Sequence, residues 1–128
     1  MSPPLHARPC VGAVLLLITA LAMNVTRLRF QANVSLGDGG NRRLGVAIRA
    51  HGNALEHGLL LAVALVLAEV AGLPARWVVG CGWAILVARL AHAAGFLRFG
   101  FKVVRPGVVV TYAMEVGLSA YLVSVAFR

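Results

Sequence analysis

Negative charge is scarce in this chain. Four Asp and Glu face twelve Lys and Arg in 128 residues, a net charge of +8. Lysine is nearly missing as well, with Lys102 standing alone among the arginines. Charged residues make up only 12% of the chain and apolar ones 60%, whereas soluble domains carry about a quarter charged residues. That shortage excludes an ordinary water-soluble domain. The two cysteines, Cys10 and Cys81, lie in or beside apolar segments, and their spacing suits neither a disulfide framework nor a metal site. The excess of arginine would suggest nucleic acid in a soluble protein. Here the basic residues cluster between apolar runs, where they set orientation in a bilayer, so nucleic acid is not an expected partner.

What is present instead is four long apolar runs. Pro9 to Thr26 carries no charge. Ala47 to Gly72 is broken by Glu56 and Glu69, Trp77 to Leu97 by Arg89, and Pro106 to Phe127 by Glu115. A helix needs roughly 20 residues to cross the hydrocarbon layer, so each run is long enough. The sequence therefore predicts an all-α integral membrane four-helix bundle forming one domain, with helices near 9–30, 47–72, 76–97 and 106–127. The second would measure about 39 Å at 1.5 Å per residue, long enough for its polar start to sit at the water interface.

Turn chemistry agrees with this division. "LGDGGN" (36–41) and "GLP" (72–74) read as connections, and "RPG" (105–107) as a helix start with Pro in the first turn. The glycines of 37–40 lack the lysine of a phosphate-binding loop. Residues 10–22 end in "ALA" and resemble a cleavable signal peptide. Only Arg8, among Pro3, Pro4 and Pro9, precedes them, so the run reads as a span. Arg27, Arg29, Arg42 and Arg43 lie between the first two runs with Arg49 at the start of the second, and Arg98, Lys102 and Arg105 lie between the last two. Arg8, Arg76 and Arg128 remain for the other side. By the positive-inside rule both long loops face the cytoplasm and both termini the periplasm.

Lipid is a poor solvent for the start of the second run. With 100° per residue, Arg49, Asn53 and Glu56 share one narrow face, while His51 points away and His57 lies to the side. The two histidines are too far apart in angle to share a metal. An arginine, an amide and a carboxylate on one face can hold a zwitterion, or form a structural cluster in which Arg49 and Glu56 neutralise each other. Arg89 lies well inside the third run, with His92 and Phe96 following at near-helical spacing. Thr111, Glu115 and Ser119 form a polar stripe on the fourth, with Tyr112 beside it. Intramembrane ionisable groups are costly and mostly paired or functional, and Glu115 or Glu56 is the expected partner of Arg89. Glu69 and Trp77 read as interfacial.

"RAHGNALEH" (49–57) resembles the signature of the MAPEG family, the membrane-associated proteins in eicosanoid and glutathione metabolism. "VTRLRFQ" (25–31) is similar to the end of that family's first helix, and "ARLAHAAGF" (88–96) to its third-helix pattern. The pairing of "RLRFQANVSLGDGG" (27–40) with "AIRAHGNALEH" (47–57) is similar to a short bacterial branch of the family. The resemblance implies a homotrimer with glutathione between subunits near the cytoplasmic face. Arg27, Arg49, Asn53 and Glu56 would bind the tripeptide, supported by Arg89 and His92, with His57, Phe96 and Tyr112 completing its surroundings. It also implies an arginine at the start of the last helix that stabilises the thiolate, here Arg105, with Val108 as the other candidate position. The activity implied is that of a glutathione transferase or peroxidase acting on lipophilic electrophiles or peroxides. His57 stands where the family often has Tyr, Leu59 where it often has Pro, and Phe96 where Tyr is frequent. Those departures favour the alternative of a non-catalytic ligand-binding or scaffolding trimer. A four-span multidrug exporter would need an acid in its first helix, and Pro9 to Thr26 has none.

Overall fold

The structure is a computed structural model that describes residues 6–127; Pro3, Pro4 and Arg128 lie outside the described residues. Four helices follow one another: α1 (Arg8–Ala32), α2 (Arg42–Val70), α3 (Ala75–Ala94) and α4 (Phe101–Ala126). A π-helical turn, Gly95–Phe99, extends α3 toward the last connection. All four helices are long and apolar enough to cross a membrane.

Two boundaries differ from those expected. The second helix begins at Arg42 rather than near residue 47, because the Asn41 side chain accepts from the Leu44 N–H at 3.1 Å and caps it. Its 29 residues span about 44 Å against a hydrocarbon layer of about 30 Å, so its first turns extend beyond the apolar layer. The fourth helix begins at Phe101, not at Pro106, which lies inside it. Gly100 makes the earlier start possible: its φ of 79° is a conformation side-chain-bearing residues rarely adopt. It turns the chain directly from the π turn into α4.

Helix α1 packs chiefly on α2 and α3 chiefly on α4, and α2 joins these two hairpins by contacting both α3 and α4. Val14, Ile18, Leu61, Leu65, Val78 and Ile85 fill the seam. Small residues set the spacing, as they do where helices associate in lipid. A Cβ on Gly107 would lie 2.8 Å from the Ala88 carbonyl oxygen, so α4 is seated directly on the backbone of α3. Glu69, read from sequence as interfacial, reaches from the end of α2 to the start of α1. Its two carboxylate oxygens accept from the backbone N–H groups of His6 and Ala7 at 3.0 and 2.9 Å. No side chain within α1 caps that terminus, and a carboxylate there also complements the helix dipole.

Leu16, Leu60, Val87, Val109 and Val116 project outward from all four helices. An apolar exterior on this scale is an interaction surface, and on helices of this length lipid is the matching solvent.

Candidate functional site

The polar centre of the bundle is built around Arg89, only 2% exposed. It projects from α3 into the space between α2 and α4. Its Nη1 donates to Asn53 Oδ1 at 2.8 Å, and its Nη2 donates to Thr111 Oγ1. Thr111 passes the chain of bonds on by donating to the Gly107 carbonyl at 2.7 Å. Its hydroxyl thus uses both its acceptor and its donor capacity. The Nε of Arg89 has no partner among the described residues, and no carboxylate lies within ion-pair distance of the guanidinium. Placing a cation at the centre of a membrane helix costs roughly 2.5–3.5 kcal/mol even on the lower scale. Two neutral oxygens offset part of that, with no carboxylate in direct contact among the described residues.

The expected pairing of Arg89 with Glu115 or Glu56 is therefore corrected. Glu115 pairs with His57 instead, Oε1 to Nδ1 at 2.6 Å, tying α2 to α4. Tyr112 meets the His57 ring edge-on with centroids 5.6 Å apart. Glu56 pairs with Arg49 on its own helix at 3.5 Å, with both side chains more than half exposed. The single face assigned to Arg49, Asn53 and Glu56 is split accordingly: Asn53 turns into the core, only 9% exposed, while the two charges stay outside. The angular offset of about 40° between Arg49 and Asn53 is enough to put them on opposite sides of the packing boundary.

His92 is buried a turn beyond Arg89, and its ring lies 4.9 Å from that of Phe96. These two extend the polar centre toward the connection-bearing end of the bundle. Arg27 is not drawn into the centre; it donates to Asn24 Oδ1 on its own helix at 2.9 Å. Arg105 is exposed and shares the outward face of α4 with Tyr112, seven residues on. The sequence-expected residues thus meet in three contacts, Arg89 with Asn53, His57 with Tyr112, and His92 with Phe96. Arg27, Arg49, Glu56 and Arg105 lie on outward-facing surfaces. Thr111, which holds Arg89, was read from sequence only as part of a stripe. Its four-residue spacing to Glu115 was the available signal.

A helical bundle with four membrane-length helices, a buried Arg–Asn bond between α3 and α2 and an outward Arg–Glu pair on α2 defines a class of integral membrane protein. The chain belongs to the MAPEG family, whose model matches residues 9–124. It is similar to the inner membrane protein YecN of Escherichia coli K12, 38% identical over 97 residues, which is 76% of this chain and 74% of that protein. The same protein from Escherichia coli O6:H1 matches to the same extent.

Proposed function

We propose that this protein is an inner-membrane glutathione-binding protein that activates the glutathione thiol for attack on lipophilic electrophiles or peroxides. The observation that supports it is Arg89: a buried guanidinium, held in place by Asn53 and Thr111, with its Nε unpartnered and no carboxylate in direct contact with it among the described residues. Glutathione carries two carboxylates, one ammonium and a thiol. Arg49 and Arg27 offer cations for the carboxylates, and Glu56 an anion for the ammonium. Ligand binding would replace the exposed Arg49–Glu56 contact, which contributes little by itself. A guanidinium near the sulfur lowers the thiol pKa and raises the reactive thiolate fraction. Arg105, on an outward face of α4, meets a ligand only where another subunit brings that ligand to it. The reading therefore includes a homotrimer with its sites between subunits.

The thiolate would attack an electrophilic carbon and expel its leaving group, or attack a peroxide oxygen, breaking the O–O bond to release an alcohol and leave a glutathione sulfenic acid that a second glutathione converts to the disulfide and water. Both substrates partition into lipid and can enter from the apolar exterior. Calorimetric titration of glutathione into detergent-solubilised protein tests the binding step. Saturable binding that is lost in Arg89→Gln supports the reading, and unaltered binding in Arg89→Gln removes its main support.

A second reading, a non-catalytic ligand-binding or scaffolding trimer, is favoured by Phe96. It stacks on His92 and presents no hydroxyl. Binding of glutathione without any increase in thiolate would select that reading.

A further inference from the structure

At the end of the bundle that carries both basic connections, a cavity of about 640 Å³ opens between α1, α2 and the π turn. Arg42 and Arg43 enter it from the first turn of α2, and Arg98 from the π turn. Its wall is apolar, with Leu28, Val46 and Leu97 among the lining residues. No Asp or Glu lines it. Among the described residues, none of the three arginines forms an ion pair.

Two independent features concentrate positive charge here. Acidic side chains are favoured in the first turn of a helix because they complement its dipole, yet α2 opens with two arginines and no acid. Arg98 then adds a third cation from a different element. Such an arrangement repels itself unless an anion is present. The level of the cavity identifies that anion. It lies where α1 and α3 end and α2 begins, with Phe30, Phe99 and Phe101 exposed at the same end. That is the depth at which phospholipid phosphates lie in a bilayer matched to these helices, and basic pockets between transmembrane helices bind anionic headgroups.

We propose that this cavity is a binding site for the headgroup of an anionic phospholipid. The phosphodiester meets Arg42, Arg43 and Arg98, and the glycerol backbone and first acyl carbons lie against Leu28, Val46 and Leu97. A charged headgroup attached to an apolar tail matches both parts of the lining, which a free anion does not. Its three arginines are not among the residues assigned to the tripeptide, so the headgroup contacts do not depend on the glutathione reading, although Phe96 borders both.

The test uses the full chain in a neutral detergent, with phosphatidylglycerol and phosphatidylcholine added in equal amounts and bound lipid read by native mass spectrometry. Two charge-matched variants are compared, Arg42→Gln with Arg43→Gln, and Arg8→Gln with Arg76→Gln at the opposite end. All four side chains are exposed, so both variants keep the fold. Phosphatidylglycerol should be retained in preference to phosphatidylcholine. Each arginine near the headgroup contributes roughly five-fold in affinity, so the first variant should weaken retention by roughly 25-fold, while the second leaves it unchanged. Equal retention of the two lipids, or equal loss in the two variants, overturns the proposal. So does full displacement by inorganic phosphate or by glutathione, which would assign the cavity to a soluble anion. Protection of Arg98 from an arginine-modifying reagent in delipidated protein would assign it to a second copy of the chain and overturn the proposal as well.

Discussion

His57 Nδ1 and Glu115 Oε1 lie 2.6 Å apart near the middle of their helices, joining α2 to α4 through a half-buried pair. Hydrogen bonds to charged groups contribute roughly 1.5–3 kcal/mol. Glu115→Ala should therefore lower the melting temperature in a fixed detergent, and His57→Ala should lower it similarly. The double variant should lose little more than either single one, because both remove the same contact. Additive losses would mean that the two side chains do not interact.

Thr111 should be replaceable by Ser but not by Val. Serine keeps the acceptor for Arg89 and the donor to the Gly107 carbonyl, whereas valine keeps only the shape. Leaving a buried donor unsatisfied costs roughly 1–3 kcal/mol, and more for a charged one. Thermal unfolding of the two variants in the same detergent should separate them clearly.

Gly107→Ala should be among the more damaging single-methyl additions. The new Cβ would meet backbone at 2.8 Å, and overpacking of this kind costs roughly 1–3 kcal/mol. Gly117→Ala on the same helix meets nothing within 4 Å and should be nearly neutral. Equal melting temperatures for the two would contradict the seating of α4 on α3.

Glu56→Gln should weaken glutathione binding by roughly ten- to a hundred-fold, as loss of one charge-assisted bond to the ligand ammonium implies. Arg105→Ala should leave affinity largely intact and reduce the bound thiolate, read from its ultraviolet absorbance. If Arg105→Ala leaves the thiolate unchanged, the activating group lies elsewhere.

Four spans put both termini on one side, and the positive-inside rule, with the excess of arginine at the connections, predicts that this side is the periplasm. A carboxy-terminal alkaline phosphatase fusion should be active and a fluorescent-protein fusion dark. The reverse pattern would invert the orientation.

Helix number was legible in the sequence because four apolar runs of 18 or more residues, each broken by at most a few charges, admit few other structures in this composition. The start of α2 was misplaced because Arg42 and Arg43 look like loop, although Asn41 was an available cap signal. The start of α4 was misplaced because Pro106 suits a first helical turn, and only the backbone of Gly100 reveals the earlier one. At the site, residue types were legible and partners were not. Arg89 was expected beside a carboxylate on charge alone, but Glu115 is held by a histidine whose side position on α2 was known and whose neighbour was not. The split between Asn53 and Arg49 depends on where the packing boundary falls, which helical angles on one chain segment do not specify.

The pairing of helices into two hairpins has one more implication. Asn53 and His57 belong to the α1–α2 hairpin, while Arg89 and Glu115 belong to the α3–α4 hairpin, so both polar links of the centre cross the same seam. The sulfur of Cys10 and the Gly82 carbonyl cross it too, near the other end. A small rotation of one hairpin against the other would release these contacts together while leaving each hairpin's own packing intact. The polar centre is thus a clasp between the two hairpins, closed over the apolar seam of Val14, Leu61, Val78 and Ile85.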